Sequence, residues 1–355
     1  MKQRFHFSAI PKNRNQSLGS ALPVALLALS NAAEAGQPGD APLNYFTRSY
    51  GPATEPTMYL GWVIGGLSVI IILIISLLLI AALMRKRSPA DARTIGAEDG
   101  GLRWIYIGTG ISTLVLFGLV IYSLIVLDAV AKPPSAPAFT VTVTGYDWWW
   151  RIEYEHDDPE QAVTTANELH IPVGEPVLVK LKSADVIHAF WVPLLAGKTQ
   201  MIPGLINQQW IQADSPGIYT GQCAQFCGAG HAHMNIEVVA ESAEDFEKWR
   251  NTQRRAASSP SGGSAAIDFG QKLFTDRCAG CHAIRGTDAG GQHGPDLTHL
   301  NSRRRIAAGL LPNTPEDLMN WIVNAQQLKP GSRMPSMTLS ETEKLALSTY
   351  LSTLD

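Results

Sequence analysis

Four cysteines in 355 residues fall in two tight pairs, Cys223 with Cys227 and Cys278 with Cys281, each with companion histidines and methionines. A disulfide across so short a loop would be strained and would recover little chain entropy. Ligation is the better use of these thiols. In the run from Cys223 to Met234, the residues Cys227, His231 and Met234, joined by a His from another strand, provide the thiolate, two imidazoles and weak thioether of an electron-transfer copper site. Cys223 exceeds that need. Four residues before Cys227, it turns a second thiolate to the same point, so that two sulfurs bridge two copper ions with one His for each. The distant imidazole is His188, in the apolar strand-like context Val186-Ile187-His188-Ala189-Phe190-Trp191. Zinc has little use for the thioether of Met234. His233, two residues from His231, points away from the site, and His156 and His170 are expected at the surface or an edge.

The second pair reads Cys278-Ala279-Gly280-Cys281-His282 at the end of a predicted helix from Phe269 to Arg277. This spacing lets both thiols bond to the vinyl groups of one haem while His282 offers its imidazole to the iron. A thioredoxin-like redox pair needs neither that histidine nor a helix without a preceding strand. Met334, in Lys329-Pro330-Gly331-Ser332-Arg333-Met334-Pro335, is the expected opposite ligand, with Met337 the alternative. His293 and His299 are further ligand candidates, but the segment His293-Gly294-Pro295 reads better as a loop whose proline packs on the His282 imidazole. A copper-delivery protein would account for the first pair and not for the second.

Strands must position the copper ligands. Residues 137 to 240 alternate, as in Val177-Leu178-Val179-Lys180-Leu181, and are punctuated at Pro172-Val173-Gly174 and Ser215-Pro216-Gly217, which predicts a small antiparallel barrel or sandwich. Alternation along Trp148-Trp149-Trp150 puts Trp148 and Trp150 on one face, and Trp148 is expected over the copper centre, where electrons arrive. From Lys132 to Arg250 there are 15 acidic and 7 basic side chains, a net of −8, which favours a basic donor protein. After a short helix near Phe246 to Arg250, residues 251–265 are a flexible linker by composition. Residues 266–355 read as mostly helical, with Thr314-Pro315 opening one helix and a Ser340/Glu343 capping box opening the last.

The rest of the chain is an anchor. Leu60 to Leu83 and Trp104 to Leu127 are each 24 residues without Asp, Glu, Lys or Arg, and about 20 apolar helical residues cross a bilayer core. Within residues 36–131 these two helices form a transmembrane hairpin. Its connector carries Arg85, Lys86, Arg87, Arg93 and Arg103 and is therefore expected in the cytoplasm, leaving both ends of the mature chain outside. Residues 1–35 read as a secretory signal cleaved after Ala33-Glu34-Ala35. A net charge of −3 gives no case for a nucleic-acid partner.

Taken together, these motifs resemble subunit II of the heme-copper cytochrome c oxidases, in the bacterial caa-type form with a fused C-terminal cytochrome c domain. The resemblance covers about residues 45 to 355. It implies a multidomain membrane protein: a two-helix transmembrane hairpin, an all-β cupredoxin Greek-key barrel over residues 132–250, and an all-α class I cytochrome c domain over 266–355. It implies that His188, Cys223, Cys227, His231, Met234 and the backbone carbonyl of Gln225 hold the binuclear CuA centre. Many members have Glu where this chain has Gln225, and a neutral amide is a poorer ligand for the magnesium ion held there. Covalent haem c would be carried by Cys278 and Cys281, with His282 and Met334 as axial ligands. The implied function is electron transfer from haem c to CuA and on to subunit I, where oxygen is reduced to water with proton pumping. No catalytic residue lies in this chain, whose spans contain no histidine cluster. Subunit I, subunit III, an external cytochrome c or cytochrome complex, and membrane lipid are the implied partners, and the bacterial inner membrane the implied location. Quinol-oxidising relatives lack the copper ligands. Glu98, beside the second span, is a candidate for proton uptake. The copper subunit of a nitric oxide reductase and a membrane-anchored electron carrier are the alternatives.

Overall fold

In the computed structural model, residues 47–86, 100–158, 161–257 and 264–355 are described. The expected signal sequence and Glu98 lie outside them. Helices α1 (Glu55–Met84) and α2 (Gly100–Ala131) are both longer than the charge-free runs within them. At 1.5 Å per residue, 30 residues reach about 45 Å, against about 30 Å of hydrocarbon. The apolar side chains of α1 face outward all round, with Ile72 at 61% and Leu78 at 65% exposure. A helix of this kind is suited to an apolar solvent. Both helices connect to the next layer: Trp210 Nε1 donates to Val130 O at 2.9 Å, and Thr54 Oγ1 donates to Leu194 O at 3.1 Å.

Ten strands follow: β1 (Phe139–Tyr146), β2 (Trp149–Tyr154), β3 (Val163–Ala166), β4 (Glu168–Pro172), β5 (Val177–Ser183), β6 (His188–Trp191), β7 (Thr199–Met201), β8 (Asn207–Ile211), β9 (Gly217–Cys223) and β10 (Asn235–Glu241). They form two five-stranded sheets, ordered β3-β2-β1-β5-β8 and β4-β10-β9-β6-β7, as in a cupredoxin-like barrel. Alternation sends Val177, Val179 and Leu181 of β5, and Trp150, Ile152 and Tyr154 of β2, into the shared core. The sheets are mixed rather than antiparallel: β1 pairs with β5, and β4 with β10, in parallel. The chain leaves one sheet for the other between such partners, a crossover that strand periodicity cannot reveal.

Strand β4 breaks the alternation rule, because all five of its residues are buried. Helix α3 (Ala243–Gln253) covers its outer side, so His170, expected at the surface or an edge, does lie on an edge strand but is enclosed rather than at the surface. Its ring stacks on Trp249 at 4.0 Å and lies between Glu168 (2.9 Å) and Glu241 (2.8 Å). Burial alone would lower the His170 pKa, yet the two carboxylates outweigh it and hold it above the ordinary value.

The C-terminal domain packs α4 (Ala265–Arg277) against α6 (Glu341–Leu351), with α5 (Pro315–Leu328) beside them and a two-residue ribbon of β11 (Arg305–Ile306) and β12 (Leu311–Pro312). Leu273, Phe274, Ile322, Leu347 and Tyr350 form its core. The helix starts follow their signals: Thr314 Oγ1 accepts from Asp317 N at 3.1 Å, and the Ser340/Glu343 capping box is complete. The expected linker is shorter than its composition suggests. Residues 251–253 continue α3, and Ala257 N donates to Arg285 O at 2.9 Å, while residues 258–263 are outside the described set.

Candidate metal and haem sites

Strand β9 ends at Cys223 and β10 begins at Asn235, so the intervening loop is a hairpin connection between paired strands. β6 pairs with β9 on its other side, Phe190 facing Cys223, which brings His188 alongside. The sulfurs of Cys223 and Cys227 lie 3.8 Å apart. His188 Nδ1 is 4.0 Å from the first sulfur, and His231 Nδ1 is 3.6 Å from the second. Met234 Sδ stands 3.9 Å from Cys227 Sγ, and the Gln225 carbonyl accepts from Cys223 Sγ at 3.1 Å. All six residues singled out in the sequence thus converge on one point. Two thiols, two imidazoles, a thioether and a carbonyl suit a soft transition metal. Thiolate character is favoured at Cys223, first by the Cys227 thiol and then, against burial, by His188, while Cys227 is pushed up by the same pairing.

Asp185 escaped the sequence reading. Its Oδ1 lies 2.8 Å from His188 Nε2, leaving Nδ1 of that ring for the sulfur side. A carboxylate behind a ligating imidazole sets ring orientation and raises its basicity. Burial lowers the His188 pKa, but Asp185 and Cys223 together raise it to about 9. The spacing Asp185-x-x-His188 was the only available signal, and it is weak. His233 contributes its backbone rather than its ring, as its carbonyl accepts from Lys329 Nζ at 2.7 Å.

The second constellation opens on an apolar cavity lined by Cys278, Cys281, His282, Phe274, Ile322 and Leu347, with Met334 and Met337 among its other walls. The end of α4 makes the arrangement local: Cys281 N and His282 N both donate to Cys278 O at 3.0 Å, curling the motif into one turn. His282 Nδ1 donates to Pro295 O at 2.8 Å, which fixes the tautomer and leaves Nε2 as the basic nitrogen. Burial lowers its pKa below the ordinary value, against the opposing effect of the Pro295 hydrogen bond. Arg303 is 9% exposed, lines the cavity, and its Nε finds no hydrogen-bond partner among the described residues. An apolar slot with two free thiols, a preoriented imidazole, thioethers and an orphaned guanidinium N–H fits an amphipathic, carboxylate-bearing macrocycle such as haem. His299 is no ligand candidate here, since Nδ1 and Nε2 face Asp355 O and Arg255 O at 2.8 and 3.0 Å. His293 is on the cavity rim.

Trp148 sits between the two constellations. It lies in the turn joining β1 to β2 rather than on a strand, so alternation does not pair it with Trp150, whose ring faces the core and meets Phe190 edge-on at 6.0 Å. Its Nε1 donates to Cys227 O at 2.9 Å, and it also lines the apolar cavity of the second constellation. A Cβ on Gly230 would fall 2.3 Å from the indole, so the metal-site loop approaches the ring this closely only with glycine there.

A family model for the periplasmic domain of cytochrome c oxidase subunit II matches residues 157–242, and one for cytochrome c matches residues 267–355. Cytochrome c oxidase subunit 2 of Alkalihalophilus pseudofirmus is 37% identical over 216 residues, 60% of this chain and 60% of that protein. The protein of the same name from Bacillus subtilis is 27% identical over 287 residues, 75% of this chain and 79% of the relative. Quinol oxidase subunit 2 of Bacillus cereus is 41% identical over 109 residues, 31% of this chain and 36% of that protein. Among solved structures, the periplasmic domain of cytochrome oxidase subunit II from Bradyrhizobium japonicum is 29% identical, covering 34% of this chain and 96% of that one, with a TM-score of 0.32. Behind two apolar helices the chain thus carries in tandem a domain of the cytochrome c oxidase subunit II periplasmic type and a cytochrome c domain, and it spans about 60% of the length of the Alkalihalophilus relative.

Proposed function

We propose that this chain is the electron-transfer subunit of a membrane-bound terminal oxidase, receiving electrons from a cytochrome c or cytochrome complex and delivering them to a haem-copper subunit I. The observation that carries this reading is the convergence of His188, Cys223, Cys227, His231, Met234 and the Gln225 carbonyl on one point, one tryptophan away from the Cys278-Cys281-His282 cavity. The first group would hold two copper ions, and the second a haem attached through Cys278 and Cys281, with the His282 imidazole and the Met334 thioether as the residues that would hold its iron. When bound, both groups supply one-electron carriers that change little in structure as they change charge.

The chain's own residues orient and insulate. Asp185 holds the His188 ring, Pro295 O holds the His282 ring, and the barrel core keeps water from the sulfurs, with Cys223 2% and Cys227 7% exposed. Two adjacent thiols in the loop favour a cytochrome over a quinol as donor. On this reading the hairpin anchors the chain in the bacterial inner membrane with both exported domains on the outer side, beside subunits I and III. Oxygen reduction and proton pumping belong to the partners, and Gln225 makes a magnesium ion at that boundary a poor fit. Metal analysis of the purified, haem-loaded chain tests the assignment: two coppers and one iron per chain are expected, with haem retained after acid denaturation. One copper, or zinc in its place, would refute the binuclear centre.

A further inference from the structure

The cytochrome domain bears on the barrel at Trp148, and among the contacts between them one fully enclosed side chain, Lys329, bridges the two. Lys329, at the end of α5, is 3% exposed, and an ammonium so enclosed needs acceptors for all three protons. It has them: Nζ donates to Trp148 O at 2.7 Å, His233 O at 2.7 Å and Ala307 O at 3.1 Å. Two of these carbonyls belong to the barrel and the third to the cytochrome domain.

The surrounding backbone is shaped for the same contact. Ala307, Ala308 and Gly309 have φ of 55°, 60° and 81°, a left-handed conformation that residues with a Cβ avoid and that persists only where neighbours over-determine it. This turn presents Ala307 O to Lys329 and Ala308 O to the amide of Asn235, 3.1 Å away on the barrel. At the rim, Arg333 lies 3.6 Å from Asp147 and 3.5 Å from Asp185, and Arg304 lies 3.4 Å from Glu237. Both arginines are more than half exposed, so these pairs orient the domain more than they hold it. Beneath them the Trp148 ring is only 8% exposed, and a Cβ on Gly331 would touch it at 3.3 Å.

The geometry points to Lys329 as a positioning residue that seats the chain's own cytochrome domain on the Trp148 face of the barrel and thereby closes that face to any soluble electron donor. The inference rests on the proposed function, since a closed face matters only if electrons cross at Trp148. A soluble donor is then left the outer surface of the cytochrome domain, and the acidic barrel's docking site is already filled.

The test uses the full chain carrying its metals, with Lys329→Met to remove the three donors while keeping the stem. Hydrogen exchange at the Asn235 amide reads docking directly, because its acceptor lies across the interface. Protection there should fall by about tenfold or more, given that hydrogen bonds to a charged group are lost. Amides inside the barrel (Tyr219, Val238) and inside α6 (Leu347) should stay protected. If Met prevents folding, Lys329→Gln, which keeps two N–H donors, should give an intermediate loss. Unchanged Asn235 protection in a folded variant overturns the assignment.

A second readout mixes the protein with a reduced, basic, soluble cytochrome c. In the parent the copper absorbance should follow the haem absorbance. In Lys329→Met a direct, salt-sensitive phase should be added to the copper signal. Loss of Asn235 protection without that phase refutes the closed face. Absence of copper absorbance from both proteins would instead count against the proposed function, and the exchange result would still decide whether Lys329 holds the domains together.

Discussion

Replacing Cys223 by Ser should cut the copper held by the barrel from two ions to one while leaving the haem spectrum intact. Cys223 Sγ lies 3.8 Å from Cys227 Sγ, 4.0 Å from His188 Nδ1 and 3.1 Å from the Gln225 carbonyl. It is therefore the group that joins the two halves of the donor set. A serine hydroxyl is hard, stays protonated near neutral pH and cannot bridge two soft ions. Cys227, His231 and Met234, with His188, are left to make at most a mononuclear site. The barrel should tolerate the change, since the backbone bond from Cys223 N to Met234 O at 2.9 Å does not depend on the side chain, and burying one hydroxyl costs about 1 to 3 kcal/mol. Electron spin resonance is the measurement, and the mixed-valence pattern should disappear. An unaltered spectrum would show that Cys223 is not a ligand.

Met334→Ala should lower the reduction potential of the haem by about 120 mV or more while the covalent attachment through Cys278 and Cys281 persists. A thioether favours the reduced iron, and a hundredfold change in that preference corresponds to about 118 mV for one electron. Both Met334 and Met337 line the cavity, but they are held differently. Gln326 Nε2 donates to Met334 O at 2.6 Å, fixing the loop after α5, whereas Met337 N donates to Ile322 O at 3.0 Å. A potential titration together with the sulfur-to-iron absorption band separates the two. If Met337→Ala abolishes the band and Met334→Ala does not, the ligand is three residues further on.

The donor set was legible because ligand chemistry is local in sequence. Cys223 to Met234 spans one hairpin loop, and Cys278 to His282 one helical turn, so spacing alone brings most of each group together. His188 is legible for a different reason, as an imidazole without a packing reason inside an apolar strand, and the β6–β9 pairing, with Phe190 opposite Cys223, brings it to the loop. Caps and the two apolar helices were equally local signals.

What the sequence hid is set by contacts between distant segments. His170 is buried because α3 lies over a strand whose pattern reads as ordinary alternation. The parallel pairs β1–β5 and β4–β10 depend on crossovers. Trp148 left the strand for a turn, and only the approach of the metal-site loop and the second domain gives it its place. Lys329 carried no signal, since its acceptors are 181, 96 and 22 residues away along the chain.

The most direct measurement is stopped-flow reduction of the intact, metal-loaded chain by a substoichiometric soluble donor, with the haem and copper absorbances followed together. If electrons arrive through the Cys278-Cys281-His282 domain and cross at Trp148, the haem band should change first and the copper band should rise only as the haem is reoxidised. Copper reduced first, or at the same rate in a chain ending at Gln253, would contradict that order and leave the fused domain without the role given to it here.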